Sequence, residues 1–136
     1  MNTRQFSELG RDEALRLLGS VGLGRIVFTE NALPAIRPVN HILDSGDVII
    51  RSHTGATLTS SVNTVVAYEA DAIDPDRHTG WSVIITGMAR KVTDPDAIAR
   101  YERLLHPWAD QNMDQVLRVH PELITGFTLT NGTGGH

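Results

Sequence analysis

Two arginines stand where packing alone gives little reason for them. Arg37 falls inside the strand-like run LPAIRPVNH, and Arg51 closes the apolar run VIIRS. A guanidinium is planar, always charged, and carries its donors in a fork that matches carboxylate or phosphate. The two runs are joined by the short turn DSGD and are expected to pair, so both cations converging on one anion is one reading. The other is that both snorkel outward to water or to nearby Asp residues. Pro38 lacks a ladder donor and belongs at an edge, a bulge or a strand start, while Asn40 adds an amide that both donates and accepts. The loop RSHTGATL follows Arg51 directly. Gly55 permits close backbone approach, the N–H groups that open a short helix after it face an anion, and Ser52, Thr54 and Thr57 supply hydroxyls. Trp81 and Ser82 open a later strand, where an indole either stacks on a flat ring or packs a core edge.

Other chemistries find little footing. The histidines (His41, His53, His78, His106, His120 and His136) show no metal-ligand spacing, and no metal site is expected. Asp71, Asp74 and Asp76 do not follow the calcium-loop order and read as a solvated turn. There is no nucleophile elbow, no Walker glycine loop and no dinucleotide fingerprint. Zero cysteines exclude disulfides, thiol catalysis and thiolate metal sites together. The net charge of −4 and pI near 5.8 disfavour nucleic acid and anionic membranes as partners. No run reaches the roughly 20 apolar residues of a membrane span. The first residues lack a signal-peptide core, so a cytoplasmic protein is expected.

These residues must be held by short strands. At 136 residues, 40% hydrophobic and 21% charged, the chain is expected to form one soluble domain over 1–130, with 131–136 a frayed tail. Ala14, Leu17, Leu18 and Val21 form a helical stripe that begins after Gly10. Strands are predicted at Leu23–Thr29, Ala35–Leu43, Val48–Ser52, Thr64–Asp71 and Trp81–Val92, with Gly87 marking a bend in the last. Asp94 and Pro95 open a second helix with Ile98, Tyr101 and Leu105 inward, and Pro107 stops it. One or two strands broken at Pro121 complete the chain. Strands at such short spacing, with two helices outside the run, suggest a small antiparallel barrel. A barrel this narrow is filled by its own side chains, which leaves a ligand only grooves or an interface.

The segments LGRIVFT, LPAIRPVNH, DVIIRS, YEADAIDPDRHTGWSVIITGMARKVTDP and HPWA, in that order, resemble the pyridoxamine 5′-phosphate oxidase-like proteins, the FMN-binding split barrels, in their short actinobacterial form. The likeness runs from about Arg11 to Thr130, with RPVN and IDP…TGWSV its most specific parts. The resemblance implies a mainly β, six-stranded antiparallel split barrel with two or three flanking helices. It also implies a homodimer holding two FMN molecules in its interface. By position it places Arg37, Pro38, Val39 and Asn40 along the isoalloxazine edge and ribityl side, and Arg51 and Ser52 near the phosphate. Gly55, Ala56, Thr57 and Leu58 match the phosphate loop, and Trp81 and Ser82 match contributions from the neighbouring subunit. The implied activity is hydride or electron transfer to a small organic molecule, with NAD(P)H as a candidate donor. Thr57 stands where many members carry lysine, which leaves room for a deazaflavin cofactor. The chain ends soon after FTLT and lacks the C-terminal segment that holds pyridoxamine phosphate, so that oxidation is not expected. A non-catalytic flavin- or tetrapyrrole-binding protein is the remaining alternative.

Overall fold

A computed structural model describes residues 4–52, 57–105 and 115–131. The strands are β1 (Arg4–Glu8), β2 (Leu23–Glu30), β3 (Leu33–Asp44), β4 (Asp47–Ser52), β5 (Val65–Asp74), β6 (Thr79–Lys91), β7 (Gln115–Val119) and β8 (Leu123–Asn131). Helix α1 covers Arg11–Gly19, α2 covers Pro95–Leu104, and a 3₁₀ turn covers Thr57–Ser61. All strand pairings are antiparallel. Neighbours run β6-β5-β2-β3-β4-β7 and return from β7 to β6, which closes a six-stranded barrel, as expected from the sequence. Strands β8 and β1 continue outward from β6 as a flange.

Strand β6 serves both the flange and the barrel. It pairs with β8 through Thr86 and with β7 from Ala89. Gly87 sits at the handover, where a Cβ would lie 2.0 Å from the His120 carbonyl oxygen. The bend expected at this glycine is therefore a close backbone crossing that no side chain can occupy.

The interior is packed by Ile26, Phe28, Tyr68, Val83, Ile85 and Leu117, and is plugged by Leu18 of α1. A second cluster lies outside the barrel, where Ile49 and Val116 meet Ala97, Tyr101 and Leu105. Strand β4 thus sends Val48 and Ile50 inward and Ile49 toward α2, which accounts for its unbroken apolar run. In α2, Asp94 accepts from the Asp96 N–H and Pro95 takes the first turn, as expected. Ala97 is buried there, whereas Ile98 is only half-buried.

One strand and the details of two turns go beyond the sequence reading. Strand β1 was not anticipated, because RQFSE gains its order only by pairing with β8. The β5–β6 connection shrinks to a tight turn because the Asp74 side chain accepts from the N–H groups of Asp76 and Arg77. The hairpin between β2 and β3 turns through Asn31 (φ 53°) and Ala32 (φ 63°), a left-handed pair built without glycine. Pro107 and the tail beyond Asn131 lie outside the described residues. Among those residues no helix is long and apolar enough to cross a membrane.

Candidate functional site

Strand β3 is longer than its partners allow. Residues Leu33–Asn40 pair with β2, but pairing to β4 begins only at His41. Over Leu33–Asn40, β3 therefore has one edge without a partner strand among the described residues. Pro38 lies in this stretch, where a missing N–H is tolerated. Side chains alternate, so Arg37 pairs across from buried Ile26 on the barrel side, while Pro38 pairs across from exposed Arg25 on the outer side. Backbone polar groups alternate between the two edges of a strand, so a ligand along the open edge reaches those of alternate residues within Arg37–Asn40, and side chains from both faces.

The two arginines have different company. Arg37 is exposed, lies over the Phe28 ring at 6.0 Å and donates to the Ile36 carbonyl at 2.8 Å. It has no carboxylate partner among the described residues. Arg51 is largely covered, with its side chain 13% exposed. Its Nη1 donates to the carbonyls of Leu105 (2.8 Å) and Glu102 (3.2 Å), and its Nη2 lies 3.4 Å from the Glu102 carboxylate. Those carbonyls belong to the last turn of α2, whose N–H-deficient end attracts a cation. Convergence of both guanidiniums on one anion was one reading of the sequence. Within this chain the described contacts of Arg51 are to α2, and Arg37 is the cation left exposed beside the open edge.

The remaining predicted residues divide. Ser52 ends β4 and Thr57 opens the 3₁₀ turn. Gly55 and Ala56 lie outside the described residues. Leu58 is buried in the main core, so its side chain is part of the packing. Trp81 packs partly against that core. With Ser82 it also lines a groove of about 200 Å³, whose other walls include Phe6, Ile73, Phe127 and Leu129. Registered pairing runs Pro38–Arg25–Glu69–Ile84, and Ser82 is two residues from Ile84. Three strand spacings, roughly 14 Å, thus separate β3 from β6. One chain does not bring Trp81 and Ser82 to the edge beside Arg37.

Two features escaped the sequence reading. The first is the outer sheet face spanning β3, β2, β5, β6 and β8. It exposes Ile36, Leu23, Val65, Ile73, Ile84 and Leu123, which alternate with inward residues along the paired strands. In its middle, Arg25 bonds Glu69 at 2.9 Å and lies 3.7 Å from Asp71. Burial and the adjacent Asp71 push the Glu69 carboxyl up to about 7, against the pull of Arg25. The second is a buried polar pair beneath β3. His41 Nε2 is 2.8 Å from the Leu18 carbonyl, and His41 Nδ1 meets the Tyr68 hydroxyl, which also lies 3.2 Å from the Val39 carbonyl. The sequence signal was a histidine in an inward strand position, which metal-spacing rules do not detect.

A closed six-stranded barrel with an auxiliary flange is a split barrel, and among the described residues the Leu33–Asn40 stretch of β3 leaves one edge without a partner strand, with Arg37 exposed beside it. Residues 10–128 match the family model described as pyridoxamine 5′-phosphate oxidase, and the chain belongs to that family. It is 52% identical over 134 residues to the uncharacterized Mycobacterium tuberculosis protein Rv0080, covering 94% of this chain and 88% of that protein. The FAD binding protein from Mycobacterium smegmatis is 35% identical, with a TM-score of 0.75, covering 92% of this chain and 98% of that chain. A conserved protein of unknown function from Corynebacterium diphtheriae is 27% identical, with a TM-score of 0.76 and the same coverages, 92% and 98%.

Proposed function

We propose that the protein is a flavin-binding oxidoreductase that works as a homodimer, with one flavin at each of two equivalent interface sites. The observation that carries this reading is the exposed Arg37 guanidinium beside the open β3 edge. A flavin is a planar ring with polar rims on an anionic tail. The open edge offers backbone donors and acceptors to the rim, Asn40 adds an amide of both kinds, and Arg37 supplies charge for the tail. Arg51 fixes the end of β4, from which the Ser52–Leu58 segment departs, by tying it to α2. The residues present therefore fit the group. A bound flavin would supply reversible hydride chemistry, while the chain supplies position, charge and exclusion of water. A nicotinamide donor and a small organic acceptor complete the proposed reaction class.

The dimer is supported by the outer sheet face, where Leu23, Ile36, Val65, Ile73, Ile84 and Leu123 are exposed around the Arg25–Glu69–Asp71 cluster, since exposed apolar side chains in such number mark protein–protein contact. It is also supported by the separation of Trp81 and Ser82 from the β3 edge. A second copy brings its own Trp81 and Ser82 to a site they cannot reach within one chain.

FMN is the cofactor proposed, because the family resemblance implies it and Arg37 supplies charge for one phosphate-bearing tail. FAD is the second reading, favoured by the 35% identity to a protein described as FAD binding. Titrating FMN, FAD and a deazaflavin into the purified protein, with fluorescence quenching and mass spectrometry of any co-purified pigment, separates these. Quenching of FMN at micromolar protein is expected. Binding of none of the three sinks the proposal.

A further inference from the structure

The polar pair buried under β3 is chemically over-determined for a packing role. His41 is 2% exposed and Tyr68 is fully buried. A carbonyl oxygen only accepts, so the 2.8 Å contact to Leu18 requires His41 Nε2 to carry the proton. Burial disfavours the imidazolium, which leaves Nδ1 as an acceptor for the Tyr68 hydroxyl. The hydroxyl has a single proton, shared between His41 Nδ1 and the Val39 carbonyl 3.2 Å away, so only one of the two contacts is a full hydrogen bond at a time. Polar contacts thus link the end of α1 to His41, itself a β3 residue, and His41 to Tyr68, whose hydroxyl lies against the Val39 carbonyl.

The surrounding sequence is arranged to admit these contacts. A Cβ at residue 24 would lie 2.4 Å from the Tyr68 hydroxyl oxygen, so Gly24 on β2 is what lets the hydroxyl reach β3. The His41 N–H is tied separately to the Gly22 carbonyl at 3.0 Å. The His41 and Tyr68 rings meet edge to face, with centroids 4.9 Å apart, which fixes both orientations. A phenylalanine at 68 and a leucine at 41 would fill the same core without desolvating two polar groups. The polar version gains a directional hold on β3, opposite the segment where the open edge lies.

We propose that His41 and Tyr68 are positioning residues, setting the backbone of Val39 and Asn40 from beneath for contact with the bound ring. This rests on the flavin reading above and deepens it. Neither residue is proposed to touch substrate or cofactor.

The test compares wild type with Tyr68→Phe and with His41→Gln, which keeps one donor and one acceptor. The measurements are flavin affinity, the visible absorption envelope of the bound flavin, and backbone amide shifts in the flavin-free protein. Tyr68→Phe is expected to remain folded, to move the amide resonances of Val39, Asn40 and His41 before any flavin is added, and to weaken flavin binding about three- to tenfold, as for one neutral hydrogen bond. The flavin envelope should shift with it, and His41→Gln should retain more affinity than His41→Leu. Unmoved Val39–His41 amides in Tyr68→Phe overturn the proposal whether or not flavin binds. A normal affinity and an unshifted envelope, with only thermal stability reduced, also overturn it. Wild type that binds neither FMN nor FAD ends the flavin reading instead, and the amide shifts then decide the positioning claim alone.

Discussion

The guanidinium of Arg51, on a barrel strand, donates to the carbonyl of Leu105 at the end of the second helix, 2.8 Å away. This joins β4 to α2 through an orphan helix carbonyl, next to the apolar contact of Ile49 with that helix. Arg51→Ala is expected to destabilise the fold by about 2 kcal/mol, the range for a charge-assisted hydrogen bond with its carbonyl left unsatisfied. Urea unfolding measures it. A variant that keeps its unfolding midpoint would show that the α2 contact contributes nothing.

Arg37→Ala should behave in the opposite way. The side chain is exposed and donates only to its neighbour's carbonyl among the described contacts, so stability should change by less than about 0.5 kcal/mol. Flavin affinity should fall by about 1–3 kcal/mol, as for a lost charged hydrogen bond to an anionic tail. The pair of variants separates brace from ligand contact by comparing unfolding midpoints with quenching titrations.

Acidity should act through two carboxyls with opposite signs. Glu69 is raised to about 7 by burial and by Asp71, so the folded state holds a proton that the unfolded chain releases near 4.5. Its contribution is full below the unfolded value and is lost as pH rises toward 7. Asp44 is lowered by its hydrogen bond from Tyr101, by Arg100 and by Arg118, so its contribution is lost as pH falls into the acid range. Stability is therefore expected to peak on the acid side of neutrality. Glu69→Gln should flatten the decline between pH 5 and 8, which urea midpoints at a series of pH values will show.

Replacing Ile84 with lysine places a charge in the middle of the apolar outer face, on the row shared with Glu69. The side chain is already 36% exposed, so the barrel should fold unchanged by circular dichroism. For the homodimer proposed above, the sedimentation coefficient should drop from that of a dimer to that of a monomer. A variant that stays dimeric would move the interface elsewhere.

Ala32 holds φ at 63°, a conformation that costs an L-residue with a Cβ about 1–2 kcal/mol. Ala32→Gly should relieve this, against a smaller entropic loss, for a net gain of roughly 0.5 kcal/mol in the unfolding midpoint.

How far these features could be read from the chain depended on whether they were local. The helix starts at Gly10 and Asp94, the hairpin turns and the strand density gave the barrel, because caps and turns are written in a few adjacent residues. Strand β1 was invisible since its order comes from β8, more than a hundred positions away. RPVN marked the β3 segment correctly as unusual, yet the reason lies in where β4 stops pairing. The contact of Arg51 with the end of α2 was not legible, because that helix end is brought to it only by the fold. His41 and Tyr68 fall in ordinary strand runs, and nothing in either run shows that they meet.

The crossing at Gly87 bears on how the barrel is sealed. The barrel is shut by a strand made from Gln115–Val119, which joins β4 to the Ala89–Lys91 end of β6, just beyond the residues that pair with β5. A side chain at residue 87 would meet the His120 carbonyl just past the end of that strand, and a seam held open there would leave β4 and β6 edges available to other chains.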